Sequence, residues 1–500
     1  MRCAAAASPA SARSRRSARC APSGSATGLC GPICGPWCGP RCDMAPEATL
    51  PLTDRRPDSV ICRRDGRAIT AGALFAAAAA LARRLPADGG AEGPAEGPAA
   101  APRAINVCAG RDRMLVGFVA ALLRGHATLL NADPAPERLR ALAERHPGAY
   151  VLADAPVAGD PGLPVLQVPA VAPEAAAPGP LPRIPARRVV AIGFTSGSTG
   201  APTEHRKPWE ALVAAAQAAA ERFGLDDPAA PASLVATVPP QHMYGFETTI
   251  MLPLWAPVAI QAGASFFPND VLDALEGVPA PRVLVTTPLH LRALLAEGRA
   301  PALLAAVISA TAPLGPGLAE AVERDWGAPM LEIYGATEAG SMASRRSLHE
   351  PDWLPYRGVG IGPDSARIPG LGEVALADLL EPQPDGRVRL LGRRADVIKL
   401  GGRRASLADL NRRLLEVEGV VDGAFVAPED LAADPAARLM AFAVAPGRSA
   451  EAILAALRRT VEPLFLPRPL LLVPALPRDR LGKLSHPALA AMRHAAQKGG

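Results

Sequence analysis

Alternating apolar and polar runs divide the chain after Met44 into helix-like and strand-like segments. Residues 71–85 and 112–123 carry apolar side chains at helical spacing. The runs that begin near Val151 and Arg188 are short and apolar, which is typical of buried strands. Because strands and helices alternate in this way, the pattern predicts an α/β fold.

Four further apolar runs each end in a polar or Gly/Pro turn. They are SLVATVPP (233–240), RVLVTTP (282–288), LLAAVISA (303–310) and PMLEIYG (329–335). Open α/β sheets bind their ligands at the carboxyl ends of the strands. We therefore expect the functional site at these turns.

From residue 394 the pattern changes to a compact α+β unit. Ser406 and Ser449 are placed to cap helices, the first over 407–417, and a last helix begins near His486. The runs GAFVAP, RLMAFAVAP and RPLLLVPAL predict strands between these helices. We therefore predict a large domain over 44–393 and a small α+β domain over 394–500.

Two Pro- and Ala-rich stretches, 89–102 and 155–187, lack any period and are predicted to be linkers or surface loops.

Composition excludes two classes of protein. No stretch approaches the roughly 20 apolar residues that cross a bilayer, so no membrane span is expected. The formal charge is +5, but residues 1–43 hold six arginines and one acid, which leaves 47 basic and 47 acidic residues in the remainder. Because residues 44–500 carry no net charge, they lack the excess of basic side chains that binds a phosphate backbone, and no nucleic-acid partner is expected.

Residues 1–43 are rich in Ala, Arg, Ser and Pro and hold six of the eight cysteines. Cys30, Cys34, Cys38 and Cys42 lie in Cys-Gly-Pro units, so a zinc site is one interpretation. A disordered leader, or a start assigned upstream of Met44, is the interpretation we favour. With only Cys62 and Cys108 in the body, no disulfide framework is expected and the protein is predicted to be cytoplasmic.

Chemistry-bearing motifs follow several of the predicted strands. GFTSGSTG (193–200) has the glycines and hydroxyls of a loop that wraps phosphate oxygens. YGATE (334–338) brings an aromatic ring, a hydroxyl and a carboxylate to one strand end, groups that can stack a base, bind a phosphate and hold Mg²⁺. Further along come Gly392-Arg393 with Lys399, and then Lys483 in a Leu-Gly-Lys turn.

Taken in this order, the segments resemble the adenylate-forming superfamily, which includes acyl- and aryl-CoA synthetases and the adenylation domains of peptide synthetases. FTSGSTGAP resembles its phosphate loop, SATAPL (309–314) its adenine-side segment, IYGATE its adenine and magnesium motif, and LPRDRLGK the loop of the catalytic lysine. The resemblance covers about residues 100–495. It implies a large N-terminal domain of α/β subdomains and a smaller, mobile C-terminal domain, with a hinge after Arg393.

The resemblance also implies a role for each matching residue. Lys483 would bridge the substrate carboxylate and the α-phosphate, Thr337 would bind the α-phosphate, Glu338 would hold Mg²⁺, and His242 would gate the carboxylate pocket. The nucleotide-binding set would be Thr195, Ser196, Gly197, Ser198, Thr199 and Gly200 for the phosphates, Ala310, Thr311, Ala312, Tyr334 and Gly335 for adenine, and Asp378 and Arg393 for the ribose. Lys399 would line the approach of the thiol.

The implied reaction is ATP-dependent activation of a fatty or aromatic carboxylic acid to an acyl-adenylate, with release of pyrophosphate. The acyl group would then pass to a thiol, either of CoA or of phosphopantetheine on an acyl carrier protein acting in trans. The acid itself is left open. Side chains near 242–247, 286–290 and 309–314 would shape its pocket, and Trp209, Phe246 and Trp255 are either pocket or core residues.

Several positions depart from the family pattern. The phosphate loop usually continues Pro-Lys-Gly, but Thr203, Glu204 and His205 follow Pro202 here, so Lys207 either replaces the lysine or the charge is missing. Ala395 stands where the hinge commonly has an acid. The alternative function is therefore a non-catalytic, adenylate-binding or regulatory homologue. A lysyl-adenylate nucleic-acid ligase is disfavoured by the neutral body.

Overall fold

A computed structural model describes most of the chain after Glu47. The described residues are 47–87, 102–131, 133–172, 179–195, 202–263, 267–393, 397–400, 403–428, 438–478, 484 and 486–498. The predicted leader over 1–43, its cysteines and most of the loop 89–102 lie outside them. The chain from Ala48 onward forms one compact unit. The predicted domain boundary after Arg393 stays a prediction.

The first part of the chain alternates strands and helices as its sequence pattern predicts. Its elements are β1 Thr49–Pro51, β2 Val60–Arg64, β3 Arg67–Thr70, α1 Ala71–Ala82, β4 Arg103–Asn106, α2 Arg111–Leu123, β5 Ala127–Leu129, α3 Pro136–Arg145, β6 Tyr150–Ala153, β7 Val165–Gln167, β8 Arg183–Pro185, β9 Val189–Thr195 and β10 Thr203–Pro208. The helices predicted over 71–85 and 112–123 and the strands predicted from 151 and 188 are confirmed.

Six of these strands form one sheet, in the order β10-β9-β5-β4-β6-β7. All neighbours are parallel except β10, which runs antiparallel to β9. The prediction that 155–187 is only loop is wrong in part, since β7 pairs with β6 and β8 pairs with β1. Each of these strands has three residues, too few for a period to show.

The middle of the chain builds a second, larger sheet. Its elements are α4 Trp209–Arg222, β11 Ala232–Ala236, α5 Met243–Phe246, a π-helical turn Glu247–Met251, α6 Leu252–Trp255, β12 Val258–Gln261, α7 Pro268–Glu276, β13 Arg282–Thr286, α8 Pro288–Ala296, β14 Ala306–Ser309, α9 Pro316–Trp326, β15 Met330–Ala336, β16 Gly340–Arg346 and β17 Leu354–Pro355. The sheet order is β17-β16-β15-β14-β13-β11-β12-β2-β3.

Strands β2, β12, β11, β13, β14 and β15 are mutually parallel, so their carboxyl ends lie along one edge of the sheet. Helix α2 is buried along almost its whole length and contacts β4 and β5 of the first sheet and β12 of the second. The largest apolar core therefore joins the two sheets. The two cysteines of the described residues, Cys62 and Cys108, are buried in it.

Short antiparallel strands follow the second sheet. They are β18 Gly360–Ile361, β19 Ser365–Ile368, β20 Gly372–Ala375, β21 Asp378–Pro382 and β22 Val388–Arg393. Strands β18, β19 and β20 form one sheet, and β21 pairs with β22. The turn at Asp385-Gly386 connects the last pair.

The last part of the chain has its own apolar core. Its elements are β23 Val397–Leu400, β24 Arg403–Ser406, α10 Leu407–Leu415, β25 Asp422–Val426, β26 Met440–Val444, α11 Ala450–Leu457, a 3-10 turn Pro463–Phe465, β27 Leu470–Leu472 and α12 His486–Lys498. Strands β25, β26 and β27 form a sheet. The predicted caps are confirmed, because the Ser406 and Ser449 hydroxyls accept hydrogen bonds from the amides of Asp409 and Ala452.

Among the described residues, no helix is both long and apolar enough to cross a membrane.

Candidate active site at the strand ends

The carboxyl ends of the parallel strands bring three predicted pocket segments together. Tyr244, just after His242, is buried and donates its hydroxyl to the carbonyls of Thr286, at 3.3 Å, and Ile308, at 3.0 Å. The hydroxyl of Thr237 lies 2.8 Å from Nδ1 of His290 in the same region. The segments near 242–247 and 286–290 therefore contact each other, and the first also reaches Ile308, just before 309–314; that they shape the acid pocket stays a prediction.

His242 immediately precedes α5, in a helical stretch that contains the π-helical turn Glu247–Met251. π-Helical turns inside α-helices occur frequently at functional sites. The aromatic residues Trp209, Phe246 and Trp255 are at most 6% exposed and belong to the main core. Of the two interpretations of these three residues, the core interpretation is the one the structure supports.

The phosphate-loop motif connects β9 to β10. Thr195 ends β9 and pairs with Thr203, and its hydroxyl lies 2.8 Å from Nε2 of His205 on β10. Burial lowers the pKa of His205, which favours a neutral ring in this contact. Ser196, Gly197, Ser198, Thr199 and Gly200 lie outside the described residues, so their predicted role stays a prediction.

Strand β9 reaches the YGATE motif directly. A Cβ built on Gly193 would lie only 2.9 Å from Cγ2 of Thr337, so this close approach needs a glycine. The strand that leads into the predicted phosphate loop and Thr337, the predicted α-phosphate ligand, therefore lie side by side.

Lys207, the candidate replacement for the missing loop lysine, contacts the YGATE motif. It lies on β10 opposite Ala191, it is 1% exposed, and its Nζ donates a hydrogen bond to the Glu338 carbonyl at 2.7 Å. Burial lowers its pKa to about 8, against the raising effect of the nearby carboxylates of Glu247 and Glu338. Lys207 is therefore anchored beneath the YGATE motif in this structure.

Glu247 is a second buried ionisable group at the same place. Its carboxylate accepts hydrogen bonds from the amide of Ser341, at 3.1 Å, and from the Ser341 hydroxyl, at 2.5 Å. Burial raises the pKa of Glu247, while Ser341 and then Lys207 act in the opposite direction. Together, Lys207 and Glu247 contact both sides of the hairpin tip between β15 and β16.

Glu338 can serve as the predicted magnesium ligand. Its side chain is half-buried, and among the described residues no hydrogen bond or ion pair uses its carboxylate. The described residues also hold no cluster of three or more His, Cys, Asp or Glu side chains that could hold a metal. A single carboxylate suits Mg²⁺, which takes most of its other ligands from phosphates and water.

Tyr334 lies beside the two residues predicted to bind the ribose. The Tyr334 hydroxyl donates to Oδ2 of Asp378 at 2.8 Å, and Asp378 lies directly opposite Arg393 in the β21–β22 pair. The Tyr334 ring packs against Trp353, with 5.6 Å between ring centroids. Tyr334, Asp378 and the backbone of Arg393 thus meet, and adenine stacking on Tyr334 stays a prediction.

The predicted adenine-side segment follows β14. Thr311, between Ala310 and Ala312, has a backbone φ of +78°. A β-branched residue is strained in this left-handed region, and strain of this kind clusters at functional sites. Gly335, at a bulge in the β15–β16 pair, lies one strand away.

Two other lysines, Lys399 and Lys483, belong to the predicted site. Lys399 is on β23 and pairs with Arg404 on β24, but its side chain is not described. Lys483 lies outside the described residues, between Arg478 and Leu484, which form a β-bridge with each other. The roles predicted for both residues stay predictions.

Sequence reasoning singled out Lys207 only as a substitute for a missing loop lysine, and it overlooked Glu247. The available signal for Lys207 was composition, because the chain has four lysines among 53 basic residues. Glu247 could have been noticed as the single acidic residue within the apolar run MYGFETTIMLPLW.

Comparisons with known proteins identify the family of the chain. The model of the AMP-binding enzyme family matches residues 53–388. The 4-coumarate–CoA ligase of Halorhodospira halophila is 32% identical over 309 residues, which cover 58% of this chain and 73% of that protein. The isonitrile lipopeptide synthase of Streptomyces coeruleorubidus is 28% identical over 496 residues, which cover 88% of this chain and 33% of that protein.

The fold has close counterparts among solved structures. ATP-bound MatB from Rhodopseudomonas palustris superposes with a TM-score of 0.72 at 19% identity, covering 87% of this chain and 96% of that one. This likeness confirms the predicted α/β fold of adenylate-forming enzymes. The family match and the relatives named as ligases support AMP-forming activation of an acid. The chain thus belongs to the AMP-binding enzyme family, within the adenylate-forming superfamily.

Proposed function

We propose that this protein is an AMP-forming acid–thiol ligase that activates a free fatty or aromatic carboxylic acid with ATP and Mg²⁺. The acyl group then passes to a thiol of CoA or of phosphopantetheine on an acyl carrier protein. One observation carries the proposal: the strand that leads into the phosphate loop contacts Thr337 of the YGATE motif, and Tyr334 of that motif bonds to Asp378.

In the first step, a carboxylate oxygen attacks the α-phosphorus of ATP, the bond from that phosphorus to the bridging oxygen breaks, and pyrophosphate leaves. No general base is needed because a carboxylic acid is ionised at pH 7. Two anions must meet, so the site has to supply positive charge and hold an in-line geometry. Lys483 is proposed to supply that charge between the carboxylate and the α-phosphate.

The other side chains bind and orient the substrates. Thr195 and the loop after it hold the departing phosphates, Thr337 holds the α-phosphate, and Asp378 holds the ribose. Mg²⁺, bound by Glu338 and by phosphate oxygens, would neutralise charge on the phosphates.

In the second step, the thiol sulfur attacks the acyl carbon, the bond to the AMP oxygen breaks, and AMP leaves. CoA is favoured by a relative named a CoA ligase, and the relative named a lipopeptide synthase motivates testing a carrier protein as well. Lys399 is proposed to lie along the path of the thiol.

The test is pyrophosphate release by the full chain with ATP and Mg²⁺ across a panel of aliphatic and aromatic acids. Lys483→Ala is the test variant, and Lys498→Ala is the matched control because Lys498 lies outside every family motif. We expect acid-dependent release that Lys483→Ala lowers by at least about 100-fold and that Lys498→Ala leaves unchanged. Release that is the same in both variants would contradict the role of Lys483.

The non-catalytic alternative makes a different prediction. It predicts that ATP binds while no acid gives pyrophosphate, a result that binding and release measured on the same sample would reveal. If release occurs, CoA and a phosphopantetheinylated carrier protein are compared as acceptors by mass spectrometry of the thioester.

A further inference from the structure

The polypeptide that carries Thr337 and Glu338 is a hairpin tip. Strands β15 and β16 pair antiparallel as far as Ala336 and Gly340, so residues 337–339 form the turn between them. Within the turn, the amide of Ala339 donates to the carbonyl of Ala336 at 3.1 Å. A short turn of this kind has few internal contacts to fix which way its side chains point.

Two buried side chains from outside the hairpin supply such contacts. Lys207, from β10, donates to the carbonyl of Glu338 at 2.7 Å. Glu247, from the π-helical turn, accepts from the amide and hydroxyl of Ser341, three residues further along. A Cβ on Gly340, whose φ is +85°, would lie 2.6 Å from Oε1 of Glu247, so the carboxylate packs directly against the turn backbone.

The position of Lys207 along the chain is as informative as its contact. It follows the phosphate loop by seven residues and lies on the strand that closes the loop's hairpin, with Arg206 exposed beside it. Packing alone does not require a lysine here, because an apolar side chain would fill a buried strand position without the cost of desolvating an ammonium group. The hydrogen bond of Lys207 links the strand after the phosphate loop to the peptide group of the predicted magnesium ligand, Glu338.

We propose that Lys207 is a positioning residue, which holds the Glu338 peptide group so that Thr337 and Glu338 face the phosphates of Mg·ATP. Glu247 holds the other end of the same turn. This role rests on the proposed ligase function. It differs from that of a phosphate-loop lysine, because the ammonium bonds to protein backbone rather than to the nucleotide.

The experiment compares full-length wild type with Lys207→Met, which keeps the length and loses the donor, and with Lys207→Arg, which keeps a donor. Arg206→Met is the matched control on the exposed side of the same strand. For each protein, pyrophosphate release is measured against Mg²⁺ and against the acid, and hydrogen exchange is measured at the amides of Ala339 and Ser341.

We expect Lys207→Met to raise the Mg²⁺ concentration for half-maximal rate by about 10-fold or more, with the KM of the acid within twofold of wild type. Exchange at Ala339 and Ser341 should accelerate by a similar factor. Lys207→Arg should recover part of both losses, and Arg206→Met should match wild type.

Two results would overturn the proposal. One is a Lys207→Met protein whose Mg²⁺ dependence and exchange rates stay within twofold of wild type. The other is a loss of pyrophosphate release that is equally large in Lys207→Met and Lys207→Arg and that raises the KM of the acid as much as that of Mg²⁺. Such a result would indicate general disruption of the site. If Lys207→Met does not fold, Lys207→Leu, which also lacks a donor, is held to the same criteria.

Failure of the proposed function looks different from failure of this proposal. In that case wild type itself releases no pyrophosphate with any acid. Hydrogen exchange at Ala339 and Ser341, and Mg²⁺-dependent binding of ATP, then decide the role of Lys207 without turnover.

Discussion

Charged side chains occupy two contrasting environments in this molecule. Beneath the hairpin tip, Lys207 and Glu247 are buried and bond to backbone groups and one hydroxyl. On helix α10, Arg412 pairs with Asp409 and Glu416 at the surface, where each side chain is 38 to 54% exposed. A buried charge is costly unless it is paired, whereas exposed pairs contribute about 0–1 kcal/mol. The desolvation cost of buried charges is therefore found where two side chains fix the backbone of the hairpin turn.

The largest effect is expected from removing a buried carboxylate. Glu247→Ala leaves the Ser341 amide without its acceptor and Lys207 without one of its two nearby carboxylates, and should lower the free energy of unfolding by about 3–5 kcal/mol. Urea denaturation measures this. Glu247→Gln keeps the shape and an acceptor oxygen but loses the charge, so a loss as large as that of Glu247→Ala would mean that the charge, rather than the hydrogen bond from Ser341, provides the stabilisation.

Next comes the half-buried acid at the hairpin tip, which is expected to affect catalysis more than stability. Glu338→Gln removes the charge offered to Mg²⁺ and should lower pyrophosphate release by at least about 10-fold, with partial recovery at high Mg²⁺. The unfolding midpoint in urea should stay close to wild type. A rate unaffected by the change would remove Glu338 from the metal site.

A smaller effect, present at neutral pH and lost in acid, is expected at Glu323 on α9. Its carboxylate accepts two hydrogen bonds from the Arg346 guanidinium, which is the main cause of a pKa lowered to about 2. Because the folded-state pKa lies below the unfolded value, this stabilisation is present above about pH 4.5 and is lost as pH falls toward 2. Urea midpoints of wild type should converge with those of Glu323→Gln over that window, and a constant difference would refute the assignment.

The smallest change is expected on α10. Glu416→Ala removes one exposed pair with Arg412 and should cost about 0.5 kcal/mol or less, and still less in 1 M salt. Urea denaturation at low and high salt measures both values. A loss comparable to that of Glu247→Ala would abolish the contrast between the two environments.

The sequence predicted the architecture well because strand ends are marked by local signals. The runs ending at Thr286, Ser309 and Ala336 are apolar and stop at polar or Gly/Pro residues, so both the strands and the edge they share could be predicted. The three-residue strands β7 and β8 could not, because they form through partners distant in sequence and are too short for a period.

Site residues divide in the same way. Tyr334, Thr337, Glu338 and Asp378 lie in motifs, so their residue types and order indicated their place before the structure did. Lys207 contacts Glu338 across 131 residues of sequence, and Glu247 contacts Ser341 across 94. Neither Lys207 nor Glu247 lies in a motif. Lys207 and Glu338 meet only because the two sheets pack against each other, and Glu247 and Ser341 meet only because the helical segment after β11 packs against β16 of the same sheet.

Because Lys207 is buried, chemical modification of its amine can measure how often the hairpin turn opens. An amine-selective acylating reagent reaches Nζ only in those moments when β10 separates from the turn, because the side chain is 1% exposed otherwise. The rate of its acylation relative to that of free lysine then gives the fraction of time spent open. With only four lysines in the chain, a single modified peptide reports that motion without an introduced label.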